Sequence, residues 1–359
     1  MKARAFAKLV KIGPVLVLSL LLGHLPLLGD EYVEEFTRVV PFIEGGKVVV
    51  ETFGGSVIFS GTDGTDVRIE ATRTINAKDQ EDAQEIFSEF SIAVKEGSSK
   101  IKIETVCPKK NGFFSCLFGN LRHGKMEVDY KVMVPSEVDL FIDGTSTDVE
   151  GNGVNGRVSL DLTSGDVDLE NIGGHVYVDG TSGDVKVVNL AGELSVDNTS
   201  GDITAIDVTG DVGIDKTSGR VTVENVGGDF FLDGTSCDLD IEKLAGDVEV
   251  DLTSGDVNIL GLGGGVLHEG TSGDVVIVFE GELKNSCNIN STSGDVELSF
   301  PGASGLNLKL DTHSGGISTR IPDMEILEVS NNNLRAVVAG GGFSVGVSTS
   351  SGDIVIGQK

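Results

Sequence analysis

The sequence predicts an all-β protein: a single-stranded β-solenoid (β-helix) of about 18-residue coils, with a small helix-containing cap at its N-terminal end. Three observations predict it. The motif Thr-Ser-Gly-Asp begins at Thr163, Thr181, Thr199, Thr253 and Thr271, with variants at Thr145, Thr217 and Thr235, so eight copies follow one another at intervals of 18 residues. Within a copy the apolar residues alternate with polar ones. Val167 and Leu169 stand against Asp168 and Glu170, then Val176 and Val178 against Tyr177 and Asp179, the period of a strand with one buried face. Glycine returns every nine residues, at Gly156, Gly165, Gly174, Gly183, Gly192, Gly201 and Gly210. It marks two turns per copy, where the chain needs a positive φ or a close backbone approach.

Two short strands and two turns are too thin to bury their own apolar face. Stacking resolves this: equivalent strands of successive copies pair in parallel, and the inward aliphatic residues form one continuous column. At a strand spacing of about 4.8 Å, the coils from residue 143 onward span roughly 55–60 Å. Composition agrees. The chain has 50 glycines, 7 prolines, 3 tyrosines and no tryptophan, and its 39% apolar content is mostly Val, Leu and Ile, which suit a narrow interior.

The ends depart from the repeat. Lys2, Arg4, Lys8 and Lys11 precede an apolar run from Ile12 to Gly29, and Asp30, Glu31, Glu34 and Glu35 follow it. That order predicts export of the body, with residues 1–29 either a cleaved signal or a retained N-terminal membrane anchor. Residues 30–142 read as a capping region that contains the start of the solenoid. Lys47 to Phe59 and Asp66 to Thr74 alternate like strands, and Ala83, Ile86, Phe87 and Phe90 recur at helical spacing after an Asn76 cap. Residues 143–359 are the regular solenoid, whose motif recurs at wider spacing at Thr292, His313 and Ser350. Asn331-Asn332-Asn333 and Gly340-Gly341-Gly342 interrupt the period.

A net charge of −29 argues against nucleic acid and acidic membranes as partners, because both demand cationic surfaces. Cys107 and Cys116 bracket a loop that a disulfide would pin, whereas Cys237 and Cys287 occupy different phases of the repeat and are not expected to pair. Phe113, Phe114, Leu117 and Phe118 make that loop apolar: a candidate partner patch, or a loop packed on the cap.

Two columns of aspartate carry the only recurrent chemistry. One contains Asp166, Asp184 and Asp202, the other Asp179 and Asp197. Calcium would relieve their mutual repulsion, but TSGDV lacks the glycines of calcium-binding nonapeptides, and Arg220 interrupts one column. Turn capping by the carboxylates is the favoured reading. The Thr-Ser pairs are expected at turns, which disfavours ice binding. Gly342-Phe343-Ser344-Val345-Gly346 matches a nucleophile elbow but falls in alternating strand sequence with no helix after it. The histidines are scattered. No catalytic residue, cofactor or metal is predicted.

The export segment, the GGSVIF strand at Gly54–Phe59, the helix, the VMVPSEVDL strand around Val134-Pro135 and the iterated TSGDV units together resemble the putative-adhesin family of β-strand-repeat domains of unknown function, over residues 33–359. The resemblance implies a β-solenoid outside the cytoplasm and carries no catalytic residues. The expectation is a noncatalytic adhesin or scaffold at the cell surface, partnered by an envelope protein or surface glycan. An envelope stress-sensing or regulatory domain and a polysaccharide-active β-helix enzyme are the alternatives.

Overall fold

A computed structural model describes residues 30–42, 45–97, 99–107, 126–281, 283–302 and 304–358. The basic and apolar leader therefore lies outside the described residues, as do Cys116 and the Phe113, Phe114, Leu117 and Phe118 patch. Among the described residues no helix is long and apolar enough to cross a membrane.

The described residues are all-β apart from one helix. It opens with β1 (Asp30–Pro41), β2 (Lys47–Thr62), β3 (Asp66–Ala77), helix α1 (Gln80–Glu89), β4 (Ser91–Glu96), β5 (Lys100–Val106) and β6 (Met126–Pro135). The repeats begin with β7 (Asp139–Asn152), across the predicted junction at 142/143. They continue through β8 (Val158–Ser164), β9 (Val167–Ile172), β10 (Val176–Ser182), β11 (Val185–Leu190), β12 (Leu194–Ser200) and β13 (Ile203–Val208). Two long strands follow, β14 (Val212–Val226) and β15 (Phe230–Leu244). Then come β16 (Val248–Ser254), β17 (Val257–Leu262), β18 (Val266–Ser272), β19 (Val275–Phe279), β20 (Cys287–Ser293) and β21 (Val296–Phe300). The last are β22 (Leu306–Ser314), β23 (Ile317–Arg320), β24 (Met324–Val329), β25 (Asn333–Val338), β26 (Phe343–Ser351) and β27 (Ile354–Gln358).

The 18-residue repeat is the pairing register. Val176 lies opposite Val158 and Leu194, and Val185 lies opposite Val167 and Ile203, all in parallel. One ladder runs β8–β10–β12 and the other β9–β11–β13. Inward residues such as Val176, Val178, Val185, Val187 and Leu190 are buried, each stabilising the stack by about 1.5–3 kcal/mol.

The ladders are not two separate sheets, as uniform two-strand coils would make them. Strands β7 and β14 each pair in both ladders, so β7–β8–β10–β12–β14–β13–β11–β9 close into a ring of eight parallel strands. From β14 to β15 the corner itself pairs: Ser218, Gly219 and Arg220 face Ser236, Cys237 and Asp238. Cys237 explains this. It stands where neighbouring coils have a positive-φ glycine, and a side chain at that point disfavours the turn and keeps the corner extended.

The nine-residue glycine spacing serves two needs in alternation. Gly183 has φ 126°, and a Cβ there would stand 2.0 Å from the carbonyl oxygen of Gly165 in the coil below. Gly174 needs no positive φ, but a Cβ would come within 2.3 Å of the Gly156 carbonyl oxygen. A third column is left-handed without glycine: Asn171, Asn189, Asp207, Asn225 and Lys243 all take φ between 55° and 61°. Asn and Asp enter this left-handed region most readily among residues with a side chain.

Both ends differ from a simple run of coils. At the N-terminal end β2 stacks on β7, and β5 and β6 stack on β2. Antiparallel strands finish the ladders, β4 on β5, β3 on β6 and β1 on β3. Helix α1 packs on β3 through buried Ala83 and Ile86. Its cap is Asp79, whose carboxylate accepts from the Asp82 N–H at 2.9 Å. The expected Asn76 is instead inside β3, opposite Glu31. A buried pair, Arg73 with Glu34, ties helix to sheet, the guanidinium also donating to the carbonyls of Phe87 and Phe90. At the C-terminal end chain order and stacking order diverge. Strands β26 and β27 insert between β20/β21 and β22/β23, and the β24–β25 hairpin closes on β22.

Candidate functional site

With the interior filled by aliphatic side chains, chemistry is left to the corners and the outward columns. The corner aspartates are occupied. Asp166 Oδ1 accepts from the Asp184 N–H at 2.9 Å, and Asp184 Oδ1 accepts from the Asp202 N–H at 2.8 Å. Asp202 does the same for the Arg220 N–H at 2.9 Å. Each carboxylate thus caps the backbone of the next coil rather than its own turn, a longer reach than an Asx-turn. Arg220 cannot continue the column and pairs with Asp240 at 2.7 Å and Asp238 at 3.5 Å. The opposite corner repeats the device through Asp139, Asp211, Asp229 and Asp247, with His175 Nδ1 taking the acceptor role for the Glu193 N–H.

The second aspartate column is outward-facing strand. Asp143, Asp161, Asp179, Asp197, Asp215, Asp233 and Asp251 lie in register on consecutive strands. Glu51 and Glu104 extend it at one end and Glu269 at the other. At about 4.8 Å between neighbours, like charges repel by nearly 1 kcal/mol per pair in water. Burial, then the neighbouring Asp215 and Asp179 charges, push the Asp197 carboxyl up. Burial, Asp161 and Glu51 do the same to Asp143. Among the described residues the column is neutralised at the end that carries Glu51 and Glu104: Lys102 reaches Glu51 at 2.6 Å and Glu104 at 3.8 Å, and Lys95 reaches Glu104 at 2.6 Å.

Thr163, Thr181 and Thr199 stand two residues beyond the Asp column. They are exposed at the ends of strands, not in the turns where they were expected. Exposed Tyr177, Phe231 and Leu267 line the other side of the stripe. The five aspartates considered for calcium therefore divide between a corner column and a strand column. Among the described residues no three His, Cys, Asp or Glu side chains converge as a metal would require.

Cys107 is disulfide-bonded, and its expected partner, Cys116, lies outside the described residues. Cys237 and Cys287 are buried free thiols. Gly342–Gly346 runs into strand β26, which pairs with β20 and β22. An open groove of about 480 Å³ among the described residues is lined by Glu242, Lys243, Leu260, Phe279 and Glu280, with Lys243 3.8 Å from Glu242. Sequence reasoning also passed over His268, which occupies an aliphatic column between Val250 and Ile289. The alternation marks its position as inward, so the signal was present.

A family model described as Toastrack DUF4097 matches the chain twice in succession, over residues 51–208 and 207–357. No curated protein matches it. Similar solved structures include a putative cell adhesion protein from Clostridium sporogenes ATCC 15579, 10% identical over 91% of this chain and 100% of that one, TM-score 0.23. Others are a putative lipid binding protein from Parabacteroides distasonis ATCC 8503 (13% identity, 90% and 96% covered, TM-score 0.33) and a putative adhesin from Bacteroides fragilis NCTC 9343 (13%, 90% and 96%, TM-score 0.31). The two family matches together span residues 51–357, and the chain belongs to the Toastrack DUF4097 family.

Proposed function

We propose that the protein is an exported, noncatalytic β-solenoid rod that serves at the cell surface as an adhesin or envelope scaffold. The supporting observation is the uniformity of its outward columns. Asp and Thr recur at one position on strand after strand, while the corners are too short to build a catalytic pocket. A repeated surface suits an extended or repeating partner, since identical contacts add along its length. The basic and apolar leader supports delivery outside the cytoplasm.

Two measurements on the full chain test this. Intact cells that make the protein are treated with protease or antibody: surface digestion is expected, and protection until the cells are lysed would remove the surface assignment. Beads coated with the protein are then mixed with cells and isolated envelopes. Retention that is lost when soluble protein competes supports adhesion, and no retention on either removes it.

A further inference from the structure

The two ladders of the C-terminal repeats do not end together. One runs β20–β26–β22 and continues through β25 to β24, while the other runs β21–β27 and stops at β23. Strands β22 and β23 are the two arms of one copy, so the first ladder projects past the second by two strands, about 10 Å. The projecting strands continue the inward aliphatic columns. Val338, Ala336 and Leu334 of β25 lie opposite Leu306, Leu308 and Leu310 of β22, and Met324, Ile326 and Val329 of β24 lie opposite them in turn. The β22 and β25 residues are buried, but Ile326 is 52% and Val329 66% exposed. The core columns thus run out into solvent with no second ladder across from them. At the N-terminal end helix α1 packs on the terminal strands through β3, but among the described residues no helix covers β24.

We propose that the projecting β24–β25 face is a self-association surface, occupied by the same face of a second copy of this chain across a twofold axis. The step fits itself. Where one copy's first ladder projects by two strands, the other copy's second ladder falls short by two. A twofold rotation about the strand direction therefore seats each projection beside the partner copy's β23. Ile326 and Val329 of each copy are then covered by β25 of the other, at the spacing of facing sheets, and one patch serves both subunits. Charge favours this end over the other. Alternation puts Arg320 of β23 and Glu325 of β24 on outward faces, so the two free edges meet with opposite charges. Arg320 reaches only Glu297 of its own chain, at 3.6 Å, and its side chain is 69% exposed. Strand β1, the free edge at the N-terminal end, carries Asp30, Glu31 and Glu35, which would face Glu325 and Glu328 in a head-to-tail contact. The bulge between Ile326 and Glu328 limits continued pairing along β24, so association closes as a dimer instead of growing as a sheet.

Sedimentation equilibrium of the full chain, in density-matched mild detergent that takes up the apolar leader, tests this. The wild type should show a closed monomer–dimer equilibrium. The double variant Ile326→Glu with Val329→Glu should be monomeric at the same concentrations with an unchanged far-ultraviolet circular dichroism spectrum, since both side chains are more than half exposed. Val39→Glu, equally exposed on β1, should dimerise like the wild type. A single spin label at Leu327→Cys gives a second readout that does not depend on disrupting the face: one narrow distance between the two copies, with none from a label at Val39→Cys. A wild type that stays monomeric at the highest concentration reached overturns the proposal. So does a dimer that survives the double glutamate variant, which would place the contact elsewhere, or a series of masses beyond the dimer, which would mark head-to-tail growth.

Discussion

His268 offers a test of the interior that reads out as pH dependence. It is 4% exposed in an aliphatic column, its Nδ1 has no partner, and burial holds its pKa down to about 4, against weaker upward pulls from Asp251 and the Val250 carbonyl. An unfolded histidine takes up a proton near pH 6.5. Between that value and about 4 the unfolded chain binds the proton and the folded chain does not, so stability falls as pH falls through this window. At about 1.36 kcal/mol per pKa unit, the loss at pH 4.5 relative to pH 7.5 is roughly 2.5 kcal/mol. His268→Ile, matching the Ile289 neighbour, abolishes this contribution. Urea unfolding of both proteins at the two pH values isolates it, because the carboxylates common to both cancel. The variant should be more stable at pH 7.5 by about 1 kcal/mol, through loss of the unpaired nitrogen, and its advantage should grow by roughly 2.5 kcal/mol at pH 4.5. An advantage that is the same at both pH values would refute the buried, neutral imidazole.

Other expected outcomes follow from the corners and the acidic stripe. Gly183→Ala places a Cβ 2.0 Å from the Gly165 carbonyl oxygen at φ 126°. The strained φ alone costs about 1–3 kcal/mol, so thermal denaturation should show a large fall in Tm, and an unchanged Tm would contradict the close stacking. Asp184→Ala removes the acceptor for the Asp202 N–H and should cost about 1 kcal/mol in urea unfolding, with Asp184→Asn recovering most of it. Folding raises the pKa of Asp197, whose contribution therefore favours the folded state at low pH and is lost as pH rises through its folded pKa. Asp197→Asn should accordingly raise Tm at neutral pH, and molar salt should shrink the gain.

The repeat was legible because stacking makes spacing and register the same quantity. One aliphatic at Val167, Val185 and Ile203 is one column of the core. The corner aspartates were legible in kind, as caps, but not in reach: that Asp184 serves the next coil follows only from the stack. Asn171 and its column mates recur at 18-residue spacing, but Asn, Asp and Lys also occupy ordinary backbone, so unlike glycine they do not mark a left-handed turn by identity. What the sequence did not reveal lies where spacing fails. The insertion of β26 between β20 and β22 depends on long-range pairing that no local period encodes. The extended corner at Cys237 depends on which side chain meets the coil below. The helix cap was misplaced by three residues because Asn76 and Asp79 are both good caps, and tertiary pairing of β3 decides between them.

The 18-residue parallel register of successive repeats is tested most directly by spin-label distances. Tyr177 and Leu267 are both exposed and lie in one column, five strands apart. Labels at Tyr177→Cys and Leu267→Cys should give one narrow distance reflecting a backbone separation of about 24 Å. The pair Tyr177→Cys and Phe231→Cys, three strands apart, should give a proportionately shorter one. Distances that do not grow with the number of strands, or a broad distribution for the longer pair, would contradict the stack.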